Sequence, residues 1–356
     1  MIAKLCYNNY MKSLIWKSKE EKTVELIEKP YPQILNPKDA IVKVTLSSIC
    51  TSDLHIKHGF IPQAKEGVTL GHEFVGIVTE VGSEVKTVKI GDRVCANVET
   101  FCGECFFCKR GFINNCIEGG WYLGCKIDGC QSEFVRVPFA DNGLTLLPEN
   151  VSDKNALFVG DVLSSGYFGA ELCELTTEDT LAVIGSGPVG YSAMASARTM
   201  DVNKIIAIDI NNKRLQIAKE QGLADYILNP NECSIEDKIK NLTDGRGADK
   251  VIEAAGAENT FEMAWKIARA NAIVALVGLY ETPQVIPLPQ MYGKNLIFKT
   301  GGVDAVHCKK LVDLISKEKI NTDFMITQTF KLKDIEKAYK FFETKPEFCL
   351  KVAIEA

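Results

Sequence analysis

The chain has 356 residues, 46% of them apolar, enough for about two domains with ordinary buried cores. Its 41 Lys and Arg against 46 Asp and Glu leave a net charge of −5, the wrong sign for a general polyanion binder, whose affinity rests on basic side chains neutralising phosphates. No apolar run approaches the roughly 20 residues that cross a bilayer, so a cytoplasmic globular protein binding neither nucleic acid nor membrane is expected.

At the N-terminus, Lys4, Asn8 and Asn9 interrupt the apolar residues that a secretory signal would need in a continuous stretch, and the residues before Met11 read as an extra segment. From about Thr23 to Pro148 the sequence predicts an irregular, mostly antiparallel β domain. Short strands such as Ala40 to Leu46, Glu73 to Val81 and Ser132 to Val137 are broken at Gly67, Gly71, Gly82, Gly91 and Gly129. From Thr180 the text alternates buried strand with amphipathic helix. Strands are expected at 180–185, 204–209, 225–228, 250–253, 272–278 and 296–298, the signature of a parallel sheet covered on both faces. A helix carrying Leu311, Leu314 and Ile315 follows, then strand-like text at Phe324 to Phe330 and Leu350 to Ile354. This tail is expected to rejoin the first domain. The predicted division is 1–163 with 300–356, and 164–299, a doubly wound α/β unit inserted into the β domain.

Thirteen cysteines are many for a reducing compartment, and an odd number cannot all pair within one chain. Cys102, Cys105, Cys108 and Cys116 follow the pattern C-x2-C-x2-C-x7-C in a lobe spanning about 98–120, with Gly103 and Gly111 easing the backbone around them. Four thiolates with no open position describe a structural zinc site; an iron–sulfur cluster is the alternative.

Gly185-Ser-Gly187-Pro188-Val189-Gly190 directly follows a predicted strand and opens a helix. The first Gly makes the turn, the second admits a pyrophosphate to the backbone, and the third lets helix and strand pack closely. Asp209 ends the next strand, 19 residues beyond Gly190. A carboxylate there accepts the ribose hydroxyls of NAD and repels the extra phosphate of NADP, although Lys213 and Arg214 stand close enough to hold a phosphate, so NADP stays open as the less favoured cofactor.

Three further fragments carry metal-ligating types: Cys50-Thr-Ser52-Asp53-Leu-His55, Gly71-His72-Glu73 and Gly160-Asp161. None is specific alone. Together with the four-Cys lobe, the nucleotide fingerprint and the domain order, they resemble the zinc-dependent medium-chain alcohol dehydrogenase family over essentially the whole chain, nearest its bacterial secondary-alcohol branch. The resemblance implies a GroES-like catalytic domain, a Rossmann domain, two Zn2+ per chain, NAD, and a homotetramer or homodimer. It assigns the catalytic zinc to Cys50, His72 and Asp161, with Glu73 either supporting them or acting as an exchangeable fourth ligand. It makes Ser52 the acceptor of the substrate's proton, His55 the next relay and Asp53 the partner that orients His72. It brings Lys351 toward the cofactor phosphates, against a reading as a surface lysine; Val277 and Gly278, ending a late strand, are expected near the nicotinamide. The chain departs from the secondary-alcohol branch in having the four-Cys lobe and Asp209, which leaves the substrate open.

A thiolate and a carboxylate bring Zn2+ to zero net charge while leaving a position for substrate oxygen, whereas a permanently bound Glu73 would make the ion a poorer Lewis acid. Its coordination is therefore expected to be transient at most. The sequence predicts an oxidoreductase interconverting small alcohols and their carbonyl partners. Polyol, butanediol or threonine dehydrogenases are alternatives on the same frame, and a non-catalytic NAD-binding redox sensor is an alternative of another class.

Overall fold

In the computed structural model, residues 10–344 and 346–356 are described. The segment before Met11 therefore lies outside the described residues except for Tyr10, which opens the first strand. In chain order the strands are β1 (Tyr10–Trp16), β2 (Val24–Pro30), β3 (Ala40–Ile49), β4 (Phe74–Val81), β5 (Arg93–Ala96), β6 (Phe134–Val137), β7 (Leu144–Leu146), β8 (Thr180–Ile184), β9 (Lys204–Ile208), β10 (Tyr226–Leu228), β11 (Ala248–Glu253), β12 (Ala268–Leu276), β13 (Ile297–Thr300), β14 (Ile326–Lys331) and β15 (Lys351–Glu355). The chain divides into two compact units, Met1–Asp161 with Asp304–Ala356, and Val162–Val303.

The first unit holds the β1–β2 antiparallel pair and a seven-stranded sheet in the order β14-β15-β3-β4-β5-β7, with β6 also paired to β3. Strand β3 is flanked by β4, β6 and β15, and eight of its ten residues are buried, which is why it reads as an apolar run rather than an alternation. Leu14, Trp16, Ile49, Leu54, Tyr339 and Val352 meet in one core cluster, so β1 and β15 both close on the strand that precedes Cys50.

The tail differs in one respect from its sequence reading. Strands β14 and β15 run parallel, and a parallel pair needs a crossover, here the helix Ile335–Glu343 that the sequence reading omitted. Its buried residues Ile335, Ala338, Tyr339 and Phe342 keep helical spacing, but the helix is only nine residues long between strand-like stretches.

The second unit is a six-stranded parallel sheet in the order β10-β9-β8-β11-β12-β13, the doubly wound arrangement whose strand order reverses between β8 and β11. Buried Ala182, Ile184, Ile206, Val251 and Val274 fill its core. Among the described residues, no helix is long and apolar enough to cross a membrane.

Candidate active site

Within the first unit, β3 delivers Cys50 to the start of the helix Thr51–Lys57. Cys50 has extended dihedrals, and its backbone N–H donates to Asp53 Oδ2 at 2.9 Å, so the carboxylate three residues on closes the turn and fixes the thiol. His72 arrives from the other side, one residue before β4, behind Gly71 at φ +93°. A Cβ at Gly71 would stand 2.6 Å from Gln131 Cγ, so only glycine permits both the left-handed turn and this approach. Asp161 comes from a single π-helical turn, Val159–Leu163, an irregularity often found where a helix must present a side chain to a site.

These three side chains converge: one donor atom from each lies within 4.8 Å of the others. Cys50 Sγ is 3.7 Å from Asp161 Oδ2, and His72 Nε2 is 3.3 Å from the same oxygen. Tetrahedral bonds of about 2.3 Å to sulfur and about 2.0 Å to nitrogen or oxygen would set ligand atoms roughly 3.3–3.8 Å apart, so the donor set fits one zinc ion and leaves a fourth position open.

His72 is buried and braced. Its Nδ1 lies 3.4 Å from Asp53 Oδ1, a charge contact longer than a good hydrogen bond, and Trp121 meets its ring edge-on at 5.6 Å. Asp53 is held in turn by Gln131 Nε2 at 3.1 Å, and Gln131 Oε1 accepts from the buried Tyr339 hydroxyl at 2.6 Å. Burial works to lower the His72 pKa, but the Asp53 charge and the Asp161 hydrogen bond outweigh it and hold it well above the usual histidine value. Burial pushes Asp161 up, and its bond to His72 and the imidazolium charge bring it below the ordinary carboxylate value. Ser52 Oγ is 3.2 Å from His72 Nε2. His55, one helical turn further, is half-buried against Phe60, with ring centroids 6.2 Å apart.

One sequence expectation, that for Lys351, needs correction. Glu73 is not among the converging donors. Its Oε2 accepts from Ser48 Oγ and from Lys351 Nζ, which tie that oxygen to β3 and β15. Lys351, expected at the cofactor phosphates, is 2% exposed and gives its ammonium to Glu73 and to the Ile49 carbonyl at 3.3 Å. Burial opposes the Lys351 charge, but Cys50 and Glu73 outweigh it and raise its pKa, so the ammonium is retained. Burial lifts Glu73 above the ordinary carboxylate value against the pull of Lys351, and the two donors on Oε2 favour its ionised form. The signal for this pairing was a lysine inside the otherwise apolar run Cys349 to Ile354, since a buried Lys almost always has a partner. Sequence reasoning also missed Gln131, Tyr339, Trp121 and the buried Glu99.

The four-cysteine lobe folds around two tight 3-10 turns, Cys108–Arg110 and Ile113–Asn115. The sulfurs of Cys105 and Cys108 are 3.5 Å apart, Cys102 and Cys116 3.6 Å, and Cys102 and Cys108 4.0 Å. Disulfides would need about 2.05 Å, whereas a single tetrahedral ion needs roughly 3.8 Å. Hydrogen bonds from the Cys108 and Ile117 backbones bring the Cys105 thiol down to about 6, while burial and the hydrogen bond to Cys105 push the Cys108 thiol up to about 12.

In the second unit, β8 ends at Ile184 and Gly185 turns at φ +96° into the helix Pro188–Arg198, with Gly187 at its N-cap and Pro188 at its first position. A Cβ at Gly190 would fall 1.8 Å from the Gly185 carbonyl oxygen, which explains the third glycine. Val189 lies in the first turn of that helix. Asp209 follows β9 and accepts from the Ser186 N–H at 2.6 Å and the Asn211 N–H at 2.8 Å, tying it to the glycine loop. The Arg214 guanidinium lies 3.7 Å from where a Gly187 Cβ would be. Val277 and Gly278 follow β12, their N–H groups donating to the Glu253 carbonyl.

A metal position left open by three protein ligands suits an enzyme that must polarise an oxygen, and a glycine turn on a doubly wound sheet is where a dinucleotide is kept; together they define the class of metal-dependent dehydrogenases. The family model for the alcohol dehydrogenase GroES-like domain matches residues 36–149, and that for zinc-binding dehydrogenases matches residues 188–316. An alcohol dehydrogenase of Cupriavidus necator is 34% identical over 354 residues, covering 93% of this chain and 95% of the relative. The NADP-dependent isopropanol dehydrogenase of Thermoanaerobacter brockii is 34% identical over 339 residues, covering 92% and 94%. Among solved structures, the alcohol dehydrogenase TADH from Thermus sp. ATN1 superposes with a TM-score of 0.89 at 33% identity, covering 97% of this chain and 99% of that one. The chain belongs to the zinc-dependent medium-chain alcohol dehydrogenase family, oxidoreductases acting on CH–OH groups.

Proposed function

We propose that this protein is an NAD-dependent alcohol dehydrogenase interconverting small primary or secondary alcohols with aldehydes or ketones. In this reading Cys50, His72 and Asp161 hold a catalytic zinc, Cys102, Cys105, Cys108 and Cys116 hold a structural one, and the enzyme works in the cytoplasm as a homotetramer or homodimer. The observation that carries the reading is the mutual approach of the three ligand atoms, at separations that suit one zinc ion.

A zinc ion held by Cys50, His72 and Asp161 would supply Lewis acidity toward the substrate oxygen, and a bound dinucleotide would supply the hydride chemistry. The chain's own residues do the rest. Asp53, backed by Gln131 and Tyr339, orients His72 so that Nε2 faces Asp161. Ser52 Oγ, beside that Nε2, is placed to take the substrate's hydroxyl proton, with His55 one turn on to pass it outward. Lys351 and Ser48 hold Glu73 Oε2 and balance the carboxylate's charge beside the metal position, in keeping with a supporting role for Glu73. Support for NAD comes from Asp209, whose carboxylate is fixed by the Ser186 N–H of the glycine loop and by the Asn211 N–H; Arg214 beside Gly187 is the feature favouring NADP.

The test is a substrate panel of propan-2-ol, ethanol, 2,3-butanediol, sorbitol and threonine, with NAD and NADP, on protein of measured zinc content. Two zinc ions per chain and reduction of NAD by at least one alcohol are expected. One zinc and no reduction across the panel would support the non-catalytic sensor instead.

A further inference from the structure

The helix Ile335–Glu343 packs against the helix Thr51–Lys57 that begins after Cys50: Leu54 and Ile56 share a core cluster with Ile335, Ala338, Tyr339 and Phe342. Two residues one turn apart on the later helix add polar contacts. Glu343 holds the far end of the earlier helix, its carboxylate taking Lys57 Nζ at 2.7 and 2.8 Å and His58 Nε2 at 2.6 Å. Tyr339 reaches inward. Its hydroxyl donates to Gln131 Oε1 at 2.6 Å, and Gln131 Nε2 donates in turn to Asp53 Oδ2 at 3.1 Å and to the Ser48 carbonyl at 3.4 Å. Tyr339, Gln131 and Asp53 are each at most 1% exposed, so bulk water does not compete for these groups. Asp53 Oδ1 and His72 Nδ1, 3.4 Å apart, are buried with no other hydrogen-bond partner, so the aim of the imidazole depends on where Asp53 is held.

Resting on the assignment of Cys50, His72 and Asp161 to zinc above, we propose that Tyr339 is a positioning residue for that metal: acting through the Gln131 amide and the Asp53 carboxylate, its hydroxyl fixes the aim of His72 and so sets the affinity of this position for zinc. Orientation is what the hydroxyl controls. A glutamine amide offers an acceptor at one end and donors at the other. By donating to Oε1, Tyr339 commits Nε2 to Asp53. With phenylalanine in its place, Oε1 is stranded where it lies, or the amide turns over and sets Oε1 against the carboxylate. Either outcome loosens Asp53, and with it His72. Burial and the Asp53 charge push the Tyr339 pKa well above its usual value, so the hydroxyl keeps the proton it donates. Removing a partner that orients a metal-bound histidine weakens metal binding about 10–100-fold; Tyr339 acts two residues further back, so the low end, about tenfold, is expected.

The experiment measures zinc dissociation constants of the full chain against a competing chelator, with Cys50→Ser identifying which ion sits at His72. Tyr339→Phe is expected to weaken that ion about tenfold and to leave the four-cysteine ion unchanged. Adding Tyr339→Phe to Gln131→Leu, which already breaks the link, should cost no further zinc affinity, a non-additivity that loss of packing alone does not produce. Glu343→Ala is the control, loosening the same two helices at a partly exposed ion pair; it should change either affinity by less than about twofold. Should Tyr339→Phe fail to fold, the double variant, which strands no amide oxygen, reads the same loss. An unchanged affinity at His72 in Tyr339→Phe, a loss that adds in full to that of Gln131→Leu, or an equal loss in Glu343→Ala overturns the proposal. A wild type that binds zinc at the four-cysteine cluster alone overturns the metal assignment itself, and this role for Tyr339 with it.

Discussion

Replacing Lys351 with methionine tests whether the buried ammonium holds the metal centre's surroundings together. The Lys351 side chain is 3% exposed and Glu73 is 0%, so solvent does little to screen the pair. Without the ammonium, Glu73 keeps the Ser48 hydroxyl on Oε2, while Oε1 already has no partner. Stranding one member of a buried ion pair costs about 3–5 kcal/mol, a large share of ordinary stability. The same lysine is partnered to the Ile49 carbonyl, so the loss extends to the strand that delivers Cys50. The assay is urea unfolding followed by tryptophan fluorescence in a Trp265→Phe background, because Trp16 and Trp121 both belong to the first unit and Trp265 to the second. Adding Glu73→Gln to Lys351→Met should recover most of the deficit, giving a coupling of about 2 kcal/mol or more between the two sites. The pH dependence has a definite sign. Burial already raises Glu73, and loss of the ammonium raises it further. A carboxyl raised in the folded state favours folding below its unfolded pKa and costs stability as pH climbs through the folded value, so the variant's deficit shrinks in acid and grows toward neutrality. A deficit below about 1 kcal/mol, or two substitutions that simply add, would refute the argument.

Because the His72 pKa in the metal-free protein is held well above its usual value, zinc uptake near neutral pH should expel a proton; calorimetry in buffers of different ionisation enthalpy reads it, and zinc affinity should fall as pH is lowered. Cys105→Ser should remove one zinc per chain and lower the first unit's stability, whereas Cys50→Ser should remove a different zinc and abolish turnover while the lobe stays loaded, as metal analysis of each variant will show. Asp209→Ala should raise the KM for NAD by roughly 10–100-fold, as expected for losing a charged hydrogen-bonding partner, with a smaller change for NADP. Gly190→Ala should abolish dinucleotide binding, measured by fluorescence titration, since its methyl would meet the Gly185 carbonyl at 1.8 Å.

What could be read from the sequence was whatever depends on neighbours along the chain. The parallel sheet declared itself through runs such as Leu181 to Ile184 and Ile205 to Ile208, buried on both faces and therefore apolar throughout. The four-cysteine cluster was legible because all its thiols lie within one short stretch of chain. Glu73 illustrates the opposite case. Beside His72 in sequence it passes for a metal ligand, and its actual partner is a lysine 278 residues later. Glu99 and Trp121 were invisible for a similar reason: one follows an ordinary strand and the other sits in a glycine-rich turn, and only the fold brings Glu99 to Gly120 and Trp121 to His72. The helix Ile335–Glu343 was missed because nine amphipathic residues between two strands satisfy neither pattern strongly.

Strand β15 slots between β14 and β3, yet it is made after every residue of the nucleotide-binding unit. During synthesis, therefore, the Rossmann half can mature while the metal-bearing half still lacks a central rung, with the edge of β3 bare and Cys50 unsupported. Under the proposed assignment, the catalytic metal position at Cys50 is completed only once Lys351 and its strand have been made, so loading of that position would follow the folding of the nucleotide-binding unit.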